Sequence, residues 1–109
     1  MRRPTIGRLR HRLTLESASR TPDGGGGASE TWATVAEVWA EITPTGGTEA
    51  VDADTLAGRV SHEIVLRYRP DVAPVMRLRS ATRLFEIAAV LDVDERRRWL
   101  KCLCVERDL

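Results

Sequence analysis

Aromatic side chains are scarce in this chain, at 5%, so its core has to be assembled from Val, Leu, Ile and Ala. No apolar run approaches the ~18 residues that cross a membrane. The N-terminal stretch MRRPTIGRLRH carries basic residues with no apolar segment behind them. It is therefore not read as a secretory signal, and the expected setting is the cytoplasm of the producing cell. Net charge is only +1, which gives the molecule as a whole no case for nucleic-acid binding. The two cysteines, Cys102 and Cys104, stand at i and i+2 of an alternating stretch. Such side chains lie about 6.5–7 Å apart on one face, beyond comfortable disulfide reach, so a reduced pair packed as small apolar residues is expected. Together with His11 and His62 they could supply four metal ligands, but at no spacing that resembles a zinc finger or ribbon. No metal and no cofactor is expected.

Catalytic patterns are missing too. The run Gly24 to Gly27 has neither the lysine nor the strand-to-helix setting of a phosphate-cradling loop. His62 and Glu63 are adjacent on an alternating stretch, so they point to opposite faces and do not pair there. Neither histidine has a serine or cysteine nucleophile in a recognisable motif. Asp92, Asp94 and Glu95 read as a solvated charge cluster balanced by Arg96, Arg97 and Arg98 rather than as a cation site. The chain is expected not to be an enzyme.

What the sequence does contain is alternation, over 109 residues that suit one domain with one core. Leu9, Leu13 and Leu15 alternate with Arg10, Arg12 and Thr14, the pattern of a half-buried strand. Residues 17–31 (SASRTPDGGGGASET) interrupt it and predict a flexible Gly-rich hairpin loop, or a segment that orders against a partner subunit. In WATVAEVWAEIT, Val38, Ala40 and Ile42 share one face while Trp32 and Val35 fall out of phase with each other. That predicts a bulge between Thr34 and Ala36. SHEIVLRYR, MRLRSATR and WLKCLCVERDL alternate again, whereas LFEIAAVLDV is continuously apolar, as a strand buried on both faces is. The expected fold class is mainly β: a small antiparallel barrel or sandwich of about six or seven strands with one long inserted loop.

That loop is the main irregularity. A hairpin needs two to five connecting residues, yet residues 44–60 (PTGGTEAVDADTLAGRV) intervene before the next strand. Pro44 and Gly46-Gly47 end the preceding strand, Thr48 suits an N-cap, and Glu49 and Asp52 suit a first helical turn with Gly58 as its stop. Residues 48–57 read equally as a short helix or as an extended loop. Charge is unevenly spread as well. Arg2, Arg3, Arg8, Arg10 and Arg12 precede any acid, Arg67, Arg69, Arg77, Arg79 and Arg83 surround only Asp71, and the excursion is acidic until Arg59. Such asymmetry suits contact with charged neighbours. Trp39, opposite in phase to Val38, faces outward and points to a second layer or a subunit contact.

The order of IGRLRHRLTLE, a glycine-rich gap, WATVAEVWAEITP, GGTEAVDADTLAGRVSHEIVLRYRPDV and RLFEIAAVLDVDERRRWLKCLCVE resembles the phage head–tail joining family, from about Ile6 to Arg107. These are small head-closure or stopper proteins in the neck of long-tailed bacteriophages and of phage-like gene transfer particles. The resemblance implies a single connector (stopper) domain over residues 1–109, arranged as a homo-hexameric ring. It implies a portal–adaptor ring on the head side, a tail-terminator or tail protein on the tail side, assembly in the bacterial cytoplasm, and no membrane contact. Packaged DNA would pass through the ring without sequence-specific binding. The 44–60 connection would project toward the channel as a gate, with Thr45, Gly46, Gly47, Glu49, Asp52, Asp54, Leu56 and Arg59 as its candidate residues. Arg8, Arg10, Arg12, Trp39, Arg67, Arg69, Arg77 and Arg79 form the candidate subunit or partner interface. The excursion departs from the family, which often carries larger aromatic or Gln residues where this chain has Ala, Val and Asp. Two other roles stay open at this point: a tail-terminator or other neck ring protein, and a nucleic-acid-binding barrel using Arg67, Arg69, Arg77 and Arg79 as a phosphate track.

Overall fold

Because every second residue of the alternating stretches is apolar, each strand has one face to cover, and a sheet closed on itself covers all of them at once. The computed structural model describes residues 6–45 and 59–108. Its strands are β1 (His11–Pro22), β2 (Ala28–Pro44), β3 (His62–Arg67), β4 (Arg77–Arg79), β5 (Leu84–Asp92) and β6 (Trp99–Arg107), with 3-10 turns at Ile6–Arg8 and Val93–Glu95. They close in the order β1-β2-β3-β6-β5-β4, every neighbour antiparallel. The expectation of a mainly β, small antiparallel barrel is met, with six strands. The two readings of residues 48–57 lie outside the described residues, as do Gly46, Gly47, Glu49, Asp52, Asp54 and Leu56. Among the described residues no helix is long and apolar enough to cross a membrane.

One inward side chain after another fills the interior. Leu13 and Leu15 come from β1, Val38 and Ala40 from β2, Ile64 and Leu66 from β3, Leu78 from β4, Phe85 and Ile87 from β5, and Leu100, Cys102 and Cys104 from β6. Val72 and Met76, on the β3–β4 connection, add a plug. A closed sheet this small has its lumen taken up by side chains, and Phe85, fully buried, is the largest of them. Nothing the size of a nucleic acid can therefore pass through a single copy. Both cysteines are free thiols facing this interior. Burial pushes the Cys102 thiol up to about 12 and raises Cys104 as well, with Cys102 adding to the second shift. Neither is a thiolate near neutral pH.

Two bulges set the phase of the walls. Leu15 pairs with Ala36 and Glu16 with Thr34, so Val35 is the extra residue, inside the interval the sequence predicts. The second bulge was not foreseen: Ile87 pairs with Cys104 and Ala89 with Leu103, leaving Ala88 over. It corrects the reading of β5 as buried on both faces. Phe85 and Ile87 point inward before the bulge and Val90 packs on the core after it, while Glu86 and Leu91 are exposed. The continuous apolar run is two alternating halves in opposite phase.

Regular pairing also extends much further into the 17–31 stretch than a loop reading allows. Ser17 pairs with Ala33 and Pro22 with Ala28, so only Asp23 to Gly27 form the turn. Asp23 organises it. Its backbone N–H donates to Gly27 O at 3.1 Å, and its Oδ1 accepts the N–H groups of Gly25 and Gly27 at 2.8 and 3.2 Å. Gly24 and Gly26 have φ of 85° and 86°, which only glycine adopts freely. At Gly27 a Cβ would lie 2.8 Å from Asp23 Oδ2. The result is a two-stranded arm that continues past the barrel. The radius of gyration is 15.0 Å, against about 13 Å expected for a compact chain of this length.

The joint between arm and barrel is also the seam that closes the sheet. β4 has three residues, and it meets β1 through Thr14–Arg79, Leu15–Leu78 and Glu16–Arg77. Arg77 Nε donates to Glu16 Oε1 at 2.6 Å, and its guanidinium lies 3.9 Å from the centre of the Trp32 ring. The two charged side chains are only 16% and 11% exposed. A buried pair adds little net stability by itself, but removing one partner strands the other. Arg77→Ala should therefore lower the unfolding free energy by about 3 kcal/mol. In urea titrations the double variant Glu16→Gln/Arg77→Met should lose less than Arg77→Ala alone.

Candidate functional site

Three places gather side chains that could do something. The first is the root of the long excursion. Thr45 N donates to Ser61 O at 2.9 Å and Thr45 Oγ1 to Val60 O at 3.0 Å, so the two ends of the excursion are stitched together. Ser61 N in turn donates to Cys104 O at 2.9 Å, tying the root to β6. Behind it His62 stands with its ring 5.2 Å from Phe85, edge to face. Its Nδ1 is 2.9 Å from Ser61 Oγ and its Nε2 is 3.2 Å from Arg83 Nη2. Arg83 also grips Glu106 with two hydrogen bonds, at 2.8 and 3.0 Å.

A serine, an imidazole and a carboxylate in contact invite a catalytic reading, and the directions of the bonds exclude it. Arg83 can only donate, so Nε2 is an acceptor and the imidazole proton sits on Nδ1, where it donates to Ser61 Oγ. That oxygen also accepts from Glu106 N at 2.8 Å and donates to Cys104 O at 3.4 Å. The histidine is thus a donor toward the hydroxyl and cannot act as its base. Burial lowers the His62 pKa, Arg83 lowers it further and Glu106 partly opposes them. The hydrogen bonds from Arg83 hold Glu106 below the usual carboxylate range, and Glu106 raises Arg83. Sequence reasoning missed this cluster because residues 62, 83 and 106 meet only through the β3–β6–β5 adjacency. Among the described residues no three His, Cys, Asp or Glu side chains converge as metal ligands.

The second place is the wall charge. Arg8 Nε donates to Glu41 at 3.0 Å and Arg12 Nη2 to Glu37 at 2.7 Å, on either side of Trp39, which is 55% exposed on the outer face of β2. Arg10 Nε donates to Gly7 O at 3.3 Å. Arg12 pairs with Trp39 across the β1–β2 ladder, and Arg8 reaches the same strand at Glu41. Arg67 lies over Trp99 at 5.9 Å and follows Leu66, the partner of Ala40, so it stands at the level of Trp39, while Arg69 is held by both oxygens of Asp71 at 3.0 and 2.9 Å. Arg77 is spent in the joint. Of the four arginines of the phosphate-track reading, only Arg79 makes no ion pair or ring contact among the described residues. The Asp92 carboxylate, read as part of a charge cluster, accepts the Arg97 backbone N–H at 3.1 Å and shapes the β5–β6 turn.

The third place is a cleft of about 850 Å³ between the arm and the outer faces of β5 and β6. Trp32, Val75, Met76, Ile87, Ala88 and Val105 give it an apolar lining, and Arg59, the end of the excursion, reaches it as well. Val75 is 84% exposed with φ of 68°. It follows Pro74 in a turn that the Met76 N to Ala73 O bond closes at 3.4 Å, so it occupies the position where a type II turn wants glycine. A β-branched residue there is strained.

What the geometry defines is a small closed barrel with a two-stranded arm. A model of the Phage head completion protein family matches residues 4–107. The chain belongs to that family, in agreement with the resemblance its segment order carries. Two solved structures are similar to it. One is a chain in the virion of a native gene transfer agent particle, 33% identical, with a TM-score of 0.70 and 98% of each chain covered. The other is a protein of Shigella flexneri 2a known from its solution structure, 30% identical, with a TM-score of 0.73, covering 94% of this chain and 96% of that one. The search of curated proteins gave no match.

The root cluster and the cleft each generate a test. His62 is folded neutral, and its folded pKa lies below the ordinary 6.5, so the unfolded chain binds more protons there. Its contribution is whole above about pH 6.5 and is lost as pH falls through the folded value. Asp71 and Glu106, also lowered, withdraw theirs only at more acidic pH. The Tm should therefore drop between pH 7.5 and 5.5, and His62→Gln, which can still accept from Arg83 and donate to Ser61, should flatten that drop. Val75→Gly should raise stability by roughly 0.5–1 kcal/mol, the relief of the left-handed strain less the extra chain entropy of glycine.

Proposed function

We propose that the chain is a structural, non-enzymatic neck component of a phage or phage-like particle, working as a ring of six copies that joins head to tail and helps retain and then release packaged DNA. The observation that carries this reading is family membership over residues 4–107, alongside likeness over 98% of both chains to a chain in a gene transfer agent virion. Physical points support it. The barrel interior is full, so any DNA path has to be enclosed between copies. Arg8, Arg12, Arg69, Arg77, Arg83 and Arg107 are each paired with a carboxylate of the chain, and a conduit for DNA has to avoid the Lys and Arg contacts to phosphate that dominate binding. In this reading a portal–adaptor ring lies on the head side and a tail-terminator or tail protein on the tail side. Arg8, Arg10, Arg12, Trp39, Arg67, Arg69 and Arg79 meet those neighbours or the next copy, while Glu49, Asp52 and Asp54 of the excursion face the channel and repel phosphate.

The excursion gives the test, because the Thr45–Ser61 and Thr45–Val60 bonds make the barrel independent of what lies between. Replacing residues 46–58 by a short Asn-Gly turn should leave a folded barrel with near-native Tm. Particles built with it should enter assembly yet leak DNA, read as a loss of nuclease-protected DNA. Normal DNA retention would defeat the gating role, and imaging that finds the chain in the capsid shell or baseplate would defeat the neck assignment.

A further inference from the structure

At one level of the barrel wall, four neighbouring strands put alternating cations and indoles on the outer face. Arg12 of β1 is paired with Trp39 of β2. Arg67 of β3 stands at the level of Trp39 and is itself paired with Trp99 of β6. Their chain neighbours Leu13, Ala40, Leu66 and Leu100 face the core, so all four point outward. Trp39 is exposed, and the Arg67 guanidinium lies over the half-buried Trp99 ring. Arg8 and Arg10 precede β1 beside the same wall. Four arginines thus stand around Trp39, and the two glutamates of its face, Glu37 and Glu41, answer only Arg12 and Arg8. Arg10 and Arg67 meet no carboxylate among the described residues: Arg10 donates to the Gly7 carbonyl, and Arg67 has its indole. They lie on the two sides of β2, two strand spacings or ~10 Å apart across the sheet.

We propose that this wall docks an acidic protein surface of another particle component, which sets an apolar side chain on Trp39 and carboxylates on Arg10 and Arg67. The inference rests on the reading of the chain as a joint between particle proteins and gives one such joint its chemistry. Charge selects the occupant. A DNA duplex carries a charge every ~1.7 Å along its axis, so its phosphates would meet Glu37 and Glu41 wherever they met Arg10 and Arg67. A folded protein can place single carboxylates opposite the two open arginines and leave the paired sites alone. A second copy is poorly equipped for this. Its Glu16, Glu37, Glu41, Glu63, Glu86 and Glu106 each already meet a cation of their own chain. Tryptophan and arginine are also the side chains most enriched at the energetic centre of protein interfaces. A guanidinium resting on an indole keeps its N–H edge open, so Arg67 can take a carboxylate with two parallel bonds. The filled core behind the wall holds these side chains at the fixed spacing of the strands.

The test uses particles assembled with a chain in which the photo-crosslinking residue p-benzoylphenylalanine replaces Trp39, an aromatic for an aromatic. Irradiation should join it to a protein other than this chain, at a peptide of net negative charge. A nuclease-sensitive adduct, a crosslink to a second copy, a crosslink to a peptide without net negative charge, or no adduct from an incorporated chain would each overturn the proposal. Should the photoprobe chain fail to enter particles, charge reversal decides. Arg10→Glu/Arg67→Glu should keep the wild-type Tm, since both residues are exposed, and reduce incorporation at least tenfold. Arg10→Lys/Arg67→Lys, which keeps the charge and loses the fork, should lose far less. Unchanged incorporation of the Glu variant would sink the docking face. A crosslink to an acidic protein in particles where imaging finds the chain in the capsid shell or baseplate would keep the docking face and remove the neck reading.

Discussion

The contact of Arg77 with Glu16 and Trp32 is where this molecule becomes a barrel. Five of its seams are made by strands of six residues or more, or by β4 with the hydrogen bonds of Val75 and Ile87 beside it. The seam between β1 and β4 has three residue pairs. One of those pairs carries a charge at each end, nearly out of contact with water, and an indole covers the cation. In such surroundings a guanidinium has to be satisfied in place, so the position of β4 and the direction of the arm are decided together. The Val35 bulge sits beside this point and adds the local twist that a tightly curved wall requires.

The same economy of charge runs round the outside. Arg8, Arg12, Arg69, Arg83 and Arg107 each meet a carboxylate, which answers part of the charge of an arginine-rich sequence. Pairs on such a surface contribute little stability each. The root of the excursion follows a related logic. Ser61 and His62 are in contact, yet their protons point the wrong way for chemistry, and their hydrogen bonds serve to hold a strand start against β6.

Much of this was legible in the sequence wherever a polar residue marks each outward position. Ile64 and Leu66, or Leu100, Cys102 and Cys104, alternate against polar or differently facing neighbours, so strand and face follow directly. The bulge at Val35 was legible because Trp32 and Val35, three residues apart, cannot share a face in a regular strand. The bulge at Ala88 was not, since its flanks Ile87, Ala89 and Val90 are all apolar and a change of phase leaves no mark. The arm was hidden by its glycines: four in a row read as freedom, while the Asp23 carboxylate, only one residue earlier, organises the turn. Arginine partners were hidden for a different reason. Glu16, Glu37 and Glu86 find them across strands, and that depends on register, which a list of charges does not contain. The place of the chain in the Phage head completion protein family was legible from segment order, because no single motif is needed for it.

The arm lies wholly beyond the seam that closes the barrel, and this separates two properties that most small barrels cannot separate. Adding two residues to each of its strands between Ser17 and Pro22 and between Ala28 and Ala33 would extend its reach by about 7 Å and leave every face as it is. Adding one to each would turn the tip over while leaving the core untouched. The ribbon can thus be cut to length like a measuring strip, in steps of fixed size, without altering the barrel.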